Sequence, residues 1–317
     1  MEFSIVPYNG DSTMKLWPHL AANAFFLKSC TSAKDTVFFY DVPGKGNGKG
    51  GSPSQPALVF IHGLGDEADS WRHLLPLLNA GGYRALALDL PGFGRSAASG
   101  KISIKKHAQA VIELLEAVFG PPPSQNRVFL IGNSMGALIA ELAAIQKPGL
   151  IQGLILIDGS IPGGPSNPGL FGLFRLLFSK KWYRAFRNDP EGAWASLYPY
   201  YADLDAMPPP DKEFLRQRVM ARVESSSQER AFFATQRSLL GSFCASSKFA
   251  RGMRNFKGKI LLVWGEKDKI IPLSSTAPFM ALRPDAELEI IPGAGHLPHQ
   301  EKPEKTARII ADFVERN

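Results

Sequence analysis

The sequence predicts an α/β fold: a mostly parallel central sheet with helices on both faces and one inserted helical segment. Three observations carry this. Short apolar runs of strand type alternate with helical runs over the first half of the chain. Gly132-Asn133-Ser134-Met135-Gly136 lies between a strand-type run, Arg127-Val-Phe-Leu-Ile131, and a helical one, Ala137-Leu-Ile-Ala-Glu-Leu-Ala-Ala144. The alternation then stops after Asp158, and no strand pattern returns until Lys259. With 317 residues and 44% hydrophobic content, the chain can bury a large core and still carry an insertion. The expected division is a core domain of residues 1–160 and 256–317, with residues 161–255 inserted.

In order along the chain, Ala24–Cys30 is a candidate opening strand, and Asp35–Asp41 reads as a second. Residues 44–55 form a Gly/Lys/Ser/Pro connection without apolar content. Ala57–Ile61 is a short buried-type strand, and Trp71–Leu78 is helical, with Pro76 expected to kink or shorten it. Arg84–Asp89 is the next strand. Ile104–Phe119 is an amphipathic helix with Ile104, Ala108, Val111, Ile112, Leu115 and Val118 on one face, ended by Gly120-Pro-Pro-Pro123. Gly153–Asp158 is a strand, and Gly159-Ser-Ile-Pro-Gly-Gly-Pro165 punctuates the start of the insertion. Helices are expected near Leu170–Phe186, Asp211–Val223 and Gln228–Phe243, with Leu170, Leu173, Phe174, Leu177 and Phe178 on one stripe. Lys259–Val263 and Ala286–Ile291 resume the strands.

A serine at the centre of Gly-x-Ser-x-Gly, at a strand-to-helix junction, sits on a sharp turn. The flanking glycines leave space for that turn and for close strand–helix packing. The turn lifts the hydroxyl above the sheet, with the N-terminus of the new helix beneath it, so amides and the helix dipole face a developing oxyanion. Ser134 is therefore the candidate nucleophile. An alkyl hydroxyl needs a base, and His296 in Gly293-Ala294-Gly295-His296 is the candidate, with His299 its local competitor. Asp268, in the loop after the strand ending at Val263, would orient the imidazole; Asp158 and Glu266 are rivals for that role. The chain order Ser134, Asp268, His296 is the one expected for this architecture.

These segments, with Phe60-Ile-His62-Gly63-Leu64-Gly65 and Leu88-Asp89-Leu-Pro-Gly-Phe-Gly-Arg-Ser96, resemble the α/β-hydrolase superfamily from about Phe38 to the C-terminus. The wording Gly-Asn-Ser-Met-Gly is similar to the elbow of meta-cleavage product hydrolases and small-molecule esterases. The resemblance implies an α/β-hydrolase fold, a helical cap made of residues 161–255, and an oxyanion hole formed by the backbone N–H of Met135 and one from the 62–65 loop, assigned to Leu64 with Gly65 as the alternative. It implies a cofactor-free serine hydrolase acting on a small, apolar carboxylic ester or lactone, with carbon–carbon hydrolysis of a diketone-like substrate second. A ligand-receptor or non-hydrolytic role is the other class. Asp89 and Arg95 are expected to hold their own loop together, and His62 to shape the 62–65 loop.

Composition narrows the alternatives. No stretch approaches the ~18–20 apolar residues of a membrane span, so no stable membrane insertion is expected. The N-terminus lacks the pattern of a secretory signal, and Val314-Glu-Arg-Asn317 matches no targeting tail. Cys30 and Cys244, far apart, read as reduced thiols and fit a cytoplasmic setting. None of the six histidines forms a His-x-x-x-His pair, and neither metal nor cofactor is expected. Of the net charge of +7, residues 163–255 hold 14 Lys plus Arg against 8 Asp plus Glu. Arg175, Arg184, Arg187, Arg216, Arg218 and Arg222 read first as solvated helix faces, and second as a cationic lid for anionic ligands or an acidic membrane surface. No nucleic-acid motif is present, and none is expected as partner.

Overall fold

A computed structural model describes residues 3–8, 16–29, 32–44, 55–121, 128–159, 180–242 and 246–317. Nine strands form one sheet: β1 (Phe3–Pro7), β2 (Ala24–Ser29), β3 (Ser32–Val42), β4 (Ala57–Ile61), β5 (Ala85–Leu88), β6 (Val128–Asn133), β7 (Gly153–Ile157), β8 (Lys259–Gly265) and β9 (Glu287–Ile291). Their spatial order is β1-β2-β3-β5-β4-β6-β7-β8-β9. The first three are antiparallel and meet β5 antiparallel. From β5 through β9 every pairing is parallel. The fold is the mostly parallel α/β sheet that the strand–helix alternation predicts. β1 has no counterpart in the sequence reading, because the polar stretch after it hides the hairpin-like return to β2.

Both faces are covered, which is why the central strands read as continuous apolar runs rather than alternating ones. Val59, Ile61, Leu130, Leu154, Leu156 and Leu262 point to one core with helices Ile104–Phe119 and Met135–Gln146. Their neighbours Leu58, Phe60, Phe129, Ile131, Ile155 and Val263 point to the other, against Leu74, Leu78, Ile310 and Phe313. The segment expected as one helix from Trp71 is instead a 3-10 turn, Ala68–Trp71, followed by helix Leu74–Ala80. Pro76 does not break that helix. It lies in the first turn, where an N–H has no intrahelical partner to lose.

Between Gly159 and Lys259 the described residues form helices and 3-10 turns and no strand. Pro209–Glu224 and Ser226–Ser242 match the expected helices. Of the expected Leu170–Phe186 helix, Lys180–Ala185 is helical, while the Leu170–Phe178 stripe lies outside the described residues, as do Cys30 and Cys244. Ser246–Asn255 is a further helix.

Candidate active site

The elbow is built by backbone crowding. Strand β6 is buried along its whole length and ends at Asn133; Ser134 follows at φ 54°, ψ −117°, and the helix starts at Met135. A side chain on Gly132 would collide with the Gly136 backbone, and one on Gly136 with the Ile61 carbonyl. Both glycines are therefore required by close approach of turn, helix and strand β4. The Ser134 amide donates to the Ile157 carbonyl at 2.9 Å, and the Ser134 carbonyl accepts from Ala137 at 3.1 Å, so the turn is fixed from both sides. The side chain is half-buried.

The acid and base sit at the ends of β8 and β9. Asp268 Oδ1 accepts the Ile270 and Ile271 amides at 2.7 and 3.0 Å. Its Oδ2 accepts from His296 Nδ1 at 2.8 Å. With the Nδ1 proton committed to the carboxylate, Nε2 carries the lone pair. His296 is held at its backbone as well: its N–H donates to Tyr200 at 2.8 Å, and its carbonyl accepts Asn133 Nδ2 at 3.1 Å. Ser134 Oγ makes no hydrogen bond to His296 among the described residues, a looseness common in such pairs before substrate binds.

The rivals occupy other places. His299 is fully buried, stacked on Trp71 at 4.2 Å, with Nε2 bonded to Ser70 Oγ at 2.8 Å. Burial, reinforced by the charge of His296, holds its basicity well below that of an ordinary histidine. Glu266 accepts the Gly293 amide at 2.9 Å. Asp158 is fully buried at φ 45° and accepts the Gly265 amide at 2.8 Å, without a hydrogen bond to His296. Burial first, and the charge of Asp268 second, push it well above the usual carboxylate range.

The loop after β4 lies against the elbow: a Cβ on Gly63 would stand 3.4 Å from Ser134 Cβ. Leu64 is half-buried, and a Cβ added to Gly65, at φ 74°, would stand 3.1 Å from the Phe232 ring. Met135, 4% exposed, has the first amide of its helix, which has no intrahelical acceptor. His62 Nε2 accepts the Leu90 amide at 2.9 Å, which assigns the proton to Nδ1 and its 2.7 Å bond to the Gly63 carbonyl. Burial lowers its basicity, so it is a neutral brace for the loop.

Asn133 was not singled out by sequence reasoning, and Arg216, Arg218 and Arg222 of helix Pro209–Glu224 were read as solvated faces first and as a cationic lid second. Asn133 Nδ2 bridges the Ile157 and His296 carbonyls, tying the serine's strand end to the histidine loop; a polar residue ending an otherwise apolar strand was the available signal. Arg218 is not on a solvated face. It is 3% exposed and paired with Glu67 and, at 3.2 Å, Asp69. Arg72 and His73 both reach Asp211, at 2.6 and 2.7 Å. Asp89 and Arg95 do hold their own loop, at 2.7 Å from the Arg95 amide, and Arg95 extends the network to Asp69 at 2.6 Å.

Among the described residues, Asp158, Asp268 and His296 are the grouping with metal-type ligand atoms, within 4.8 Å of one another. Their hydrogen bonds use His296 Nδ1, both Asp268 oxygens and Asp158 Oδ1. No described helix is long and apolar enough to cross a membrane.

A family model described as the alpha/beta hydrolase family matches residues 58–309. Among curated relatives, the uncharacterized hydrolase YugF of Bacillus subtilis (strain 168) is 28% identical over 278 residues, 83% of this chain and 91% of the relative. A 2-hydroxy-6-oxononadienedioate/2-hydroxy-6-oxononatrienedioate hydrolase of Dechloromonas aromatica (strain RCB) is 29% identical over 276 residues, covering 81% of this chain and 86% of that one. Among solved structures, a thermophilic esterase from Thermogutta terrifontis aligns with a TM-score of 0.69 at 20% identity, over 91% of this chain and 96% of that chain. This last likeness concerns the fold.

Proposed function

Because the chain belongs to the alpha/beta hydrolase family, we propose that it is a cofactor-free serine hydrolase cleaving a small, apolar carboxylic ester or lactone through an acyl-enzyme on Ser134. The observation that carries this reading is the 2.8 Å bond from His296 Nδ1 to Asp268, made beside a strand end whose serine has the strained backbone of an elbow. Ser134 Oγ attacks the carbonyl carbon while His296 Nε2 takes its proton. The tetrahedral oxyanion is met by the amides of Met135 and Leu64, each such donor being worth ~3–4 kcal/mol to the barrier. The leaving alkoxide departs with the His296 proton. Water, activated by the same imidazole, then releases the acid and restores the serine.

In this reading residues 161–255 form a cap over a core of 1–160 and 256–317, and shape the pocket. The enzyme works in the cytoplasm, to which two distant cysteines lend support. Carbon–carbon cleavage of a vinylogous diketone is the second reading, favoured by the relative from Dechloromonas aromatica.

The test is a panel of chromogenic esters, lactones and vinylogous diketones, run with fluorophosphonate labelling of wild type and Ser134→Ala. Turnover of esters or lactones with labelling confined to Ser134 is expected. Turnover of the diketones alone would transfer the assignment to the second reading. A wild type that is inert and unlabelled would leave a binding protein.

A further inference from the structure

We infer that Asp158 keeps its proton at neutral pH and donates it in a hydrogen bond to Asp268, making Asp158 a positioning residue for the carboxylate that orients His296. The inference rests on the reading of Asp268 and His296 given above. Among the described non-glycine residues, positive φ occurs at Ser134 and Asp158, which directly follow the neighbouring strands β6 and β7. Such strain persists where the surroundings enforce it, and concentrates at functional sites.

Asp158 Oδ1 accepts the Gly265 amide, while its buried Oδ2 has no donor aimed at it. Ligand-type atoms of Asp158, Asp268 and His296 nevertheless lie within 4.8 Å of one another. Two ionised carboxylates present only acceptors to each other, so a bond between them requires a proton on one. The donors around the pair decide which. Asp268 accepts three N–H groups, from Ile270, Ile271 and His296, whereas Asp158 accepts one. The carboxylate with three donors keeps the charge, and the proton stays on Asp158. The charged groups acting on Asp158 point the same way. After burial, Asp268 and then Glu301, from the short helix Pro298–Glu301, favour its neutral form, against the Gly265 amide.

The experiment combines infrared difference spectroscopy of the full-length wild type and Asp158→Asn with pH profiles of kcat and KM for a chromogenic ester. Wild type should show at neutral pH the carbonyl stretch of a protonated buried carboxylic acid, lost in Asp158→Asn. Asparagine retains an N–H donor toward Asp268, so its kcat should stay within roughly threefold of wild type. Asp158→Ala removes the donor and should lower kcat roughly 10- to 100-fold with KM unchanged and the acid limb displaced. If Asp158→Ala does not fold, Asp158→Gly, which also lacks a donor and suits the positive φ, takes its place in the kinetic arm. Absence of the band overturns the protonated acid. A band accompanied by wild-type kcat and pH profile in Asp158→Ala overturns the positioning role. A wild type inert to esters and to fluorophosphonate sinks the hydrolase reading alone, since the band still decides where the proton lies.

Discussion

Replacing Asp268 by asparagine tests the acid assignment through its hydrogen-bond polarity. Every partner of the carboxylate is a donor: Ile270 and Ile271 amides at 2.7 and 3.0 Å on Oδ1, and His296 Nδ1 at 2.8 Å on Oδ2. An asparagine amide has one acceptor end and one donor end, so whichever way it turns it opposes a donor to a donor. If its NH2 faces the ring, the imidazole must move its proton to Nε2, where it can no longer take one from Ser134. If its NH2 faces the loop, two amides lose their acceptor and the loop shifts. The negative charge that stabilises the imidazolium is lost in both orientations. The expected loss is roughly 10³- to 10⁴-fold in kcat, about 4–5.5 kcal/mol of barrier. Asp158→Asn should retain most activity, because Asp158 is not bonded to His296. The assay is steady-state hydrolysis of a chromogenic ester, with fluorophosphonate titration to count competent sites. Asp268→Asn within tenfold of wild type, or Asp158→Asn the more damaging of the two, would refute the reasoning.

Ser134→Ala should abolish turnover and labelling while the far-UV circular dichroism stays that of wild type; residual turnover near the wild-type rate would remove Ser134 from the chemistry. Gly65→Ala places a Cβ 3.1 Å from the Phe232 ring in a left-handed backbone. It should cost about 1–2 kcal/mol in urea denaturation, together with a fall in kcat. Arg218→Ala leaves the buried carboxylates of Glu67 and Asp69 short of a partner and should destabilise by about 3–5 kcal/mol in the same assay. Asp158→Asn should change stability with pH in a definite direction. Wild-type Asp158 holds its proton in the folded state above the pH where the unfolded chain, at ~3.9, releases it, so wild-type stability falls as pH climbs through that window. The variant should therefore melt above wild type at neutral pH and match it near pH 4; a gap independent of pH would contradict the buried neutral acid.

The parallel half of the sheet was legible because β4 to β8 are buried on both faces and so read as unbroken apolar runs such as Leu154-Ile-Leu-Ile157. The elbow was legible for a related reason, since close backbone approach leaves glycine the sole residue that fits at 132 and 136. Helix Ser246–Asn255 was missed although Phe249 and Met253 are one turn apart, because Ser, Lys and Arg dominate its composition. The destination of Arg218 was not readable. An arginine on an amphipathic helix looks solvated until a partner surface is known, and its partners lie about 150 residues earlier in the chain. The proton on Asp158 was equally hidden: sequence places an aspartate at a strand end, but only its distance to a second carboxylate and its single donor decide its charge.

The buried ion pairs bear on function through what they join. Glu67 belongs to the loop that begins with His62-Gly63-Leu64-Gly65 and Asp69 to the 3-10 turn that follows it, while Arg218 and Asp211 belong to helix Pro209–Glu224. Arg218 therefore grips the chain two residues beyond Gly65, and Phe232 of the next helix rests on Gly65 itself. Replacing such pairs by apolar groups is often neutral or favourable to stability, so stability alone gives weak reason for them. Their value here is directional. A guanidinium between two fixed carboxylates admits few positions, and a loop packed against the serine gains from having few. The excess positive charge of residues 163–255 thus divides in two. Arg218 is consumed against the core loop, and Arg184 and Arg187 close on Glu229 within the insertion, at 2.9 and 2.7 Å. Of these three guanidiniums Arg218 is withdrawn from solvent, whereas Arg184 and Arg187 pair with Glu229 while their side chains stay 58% and 31% exposed.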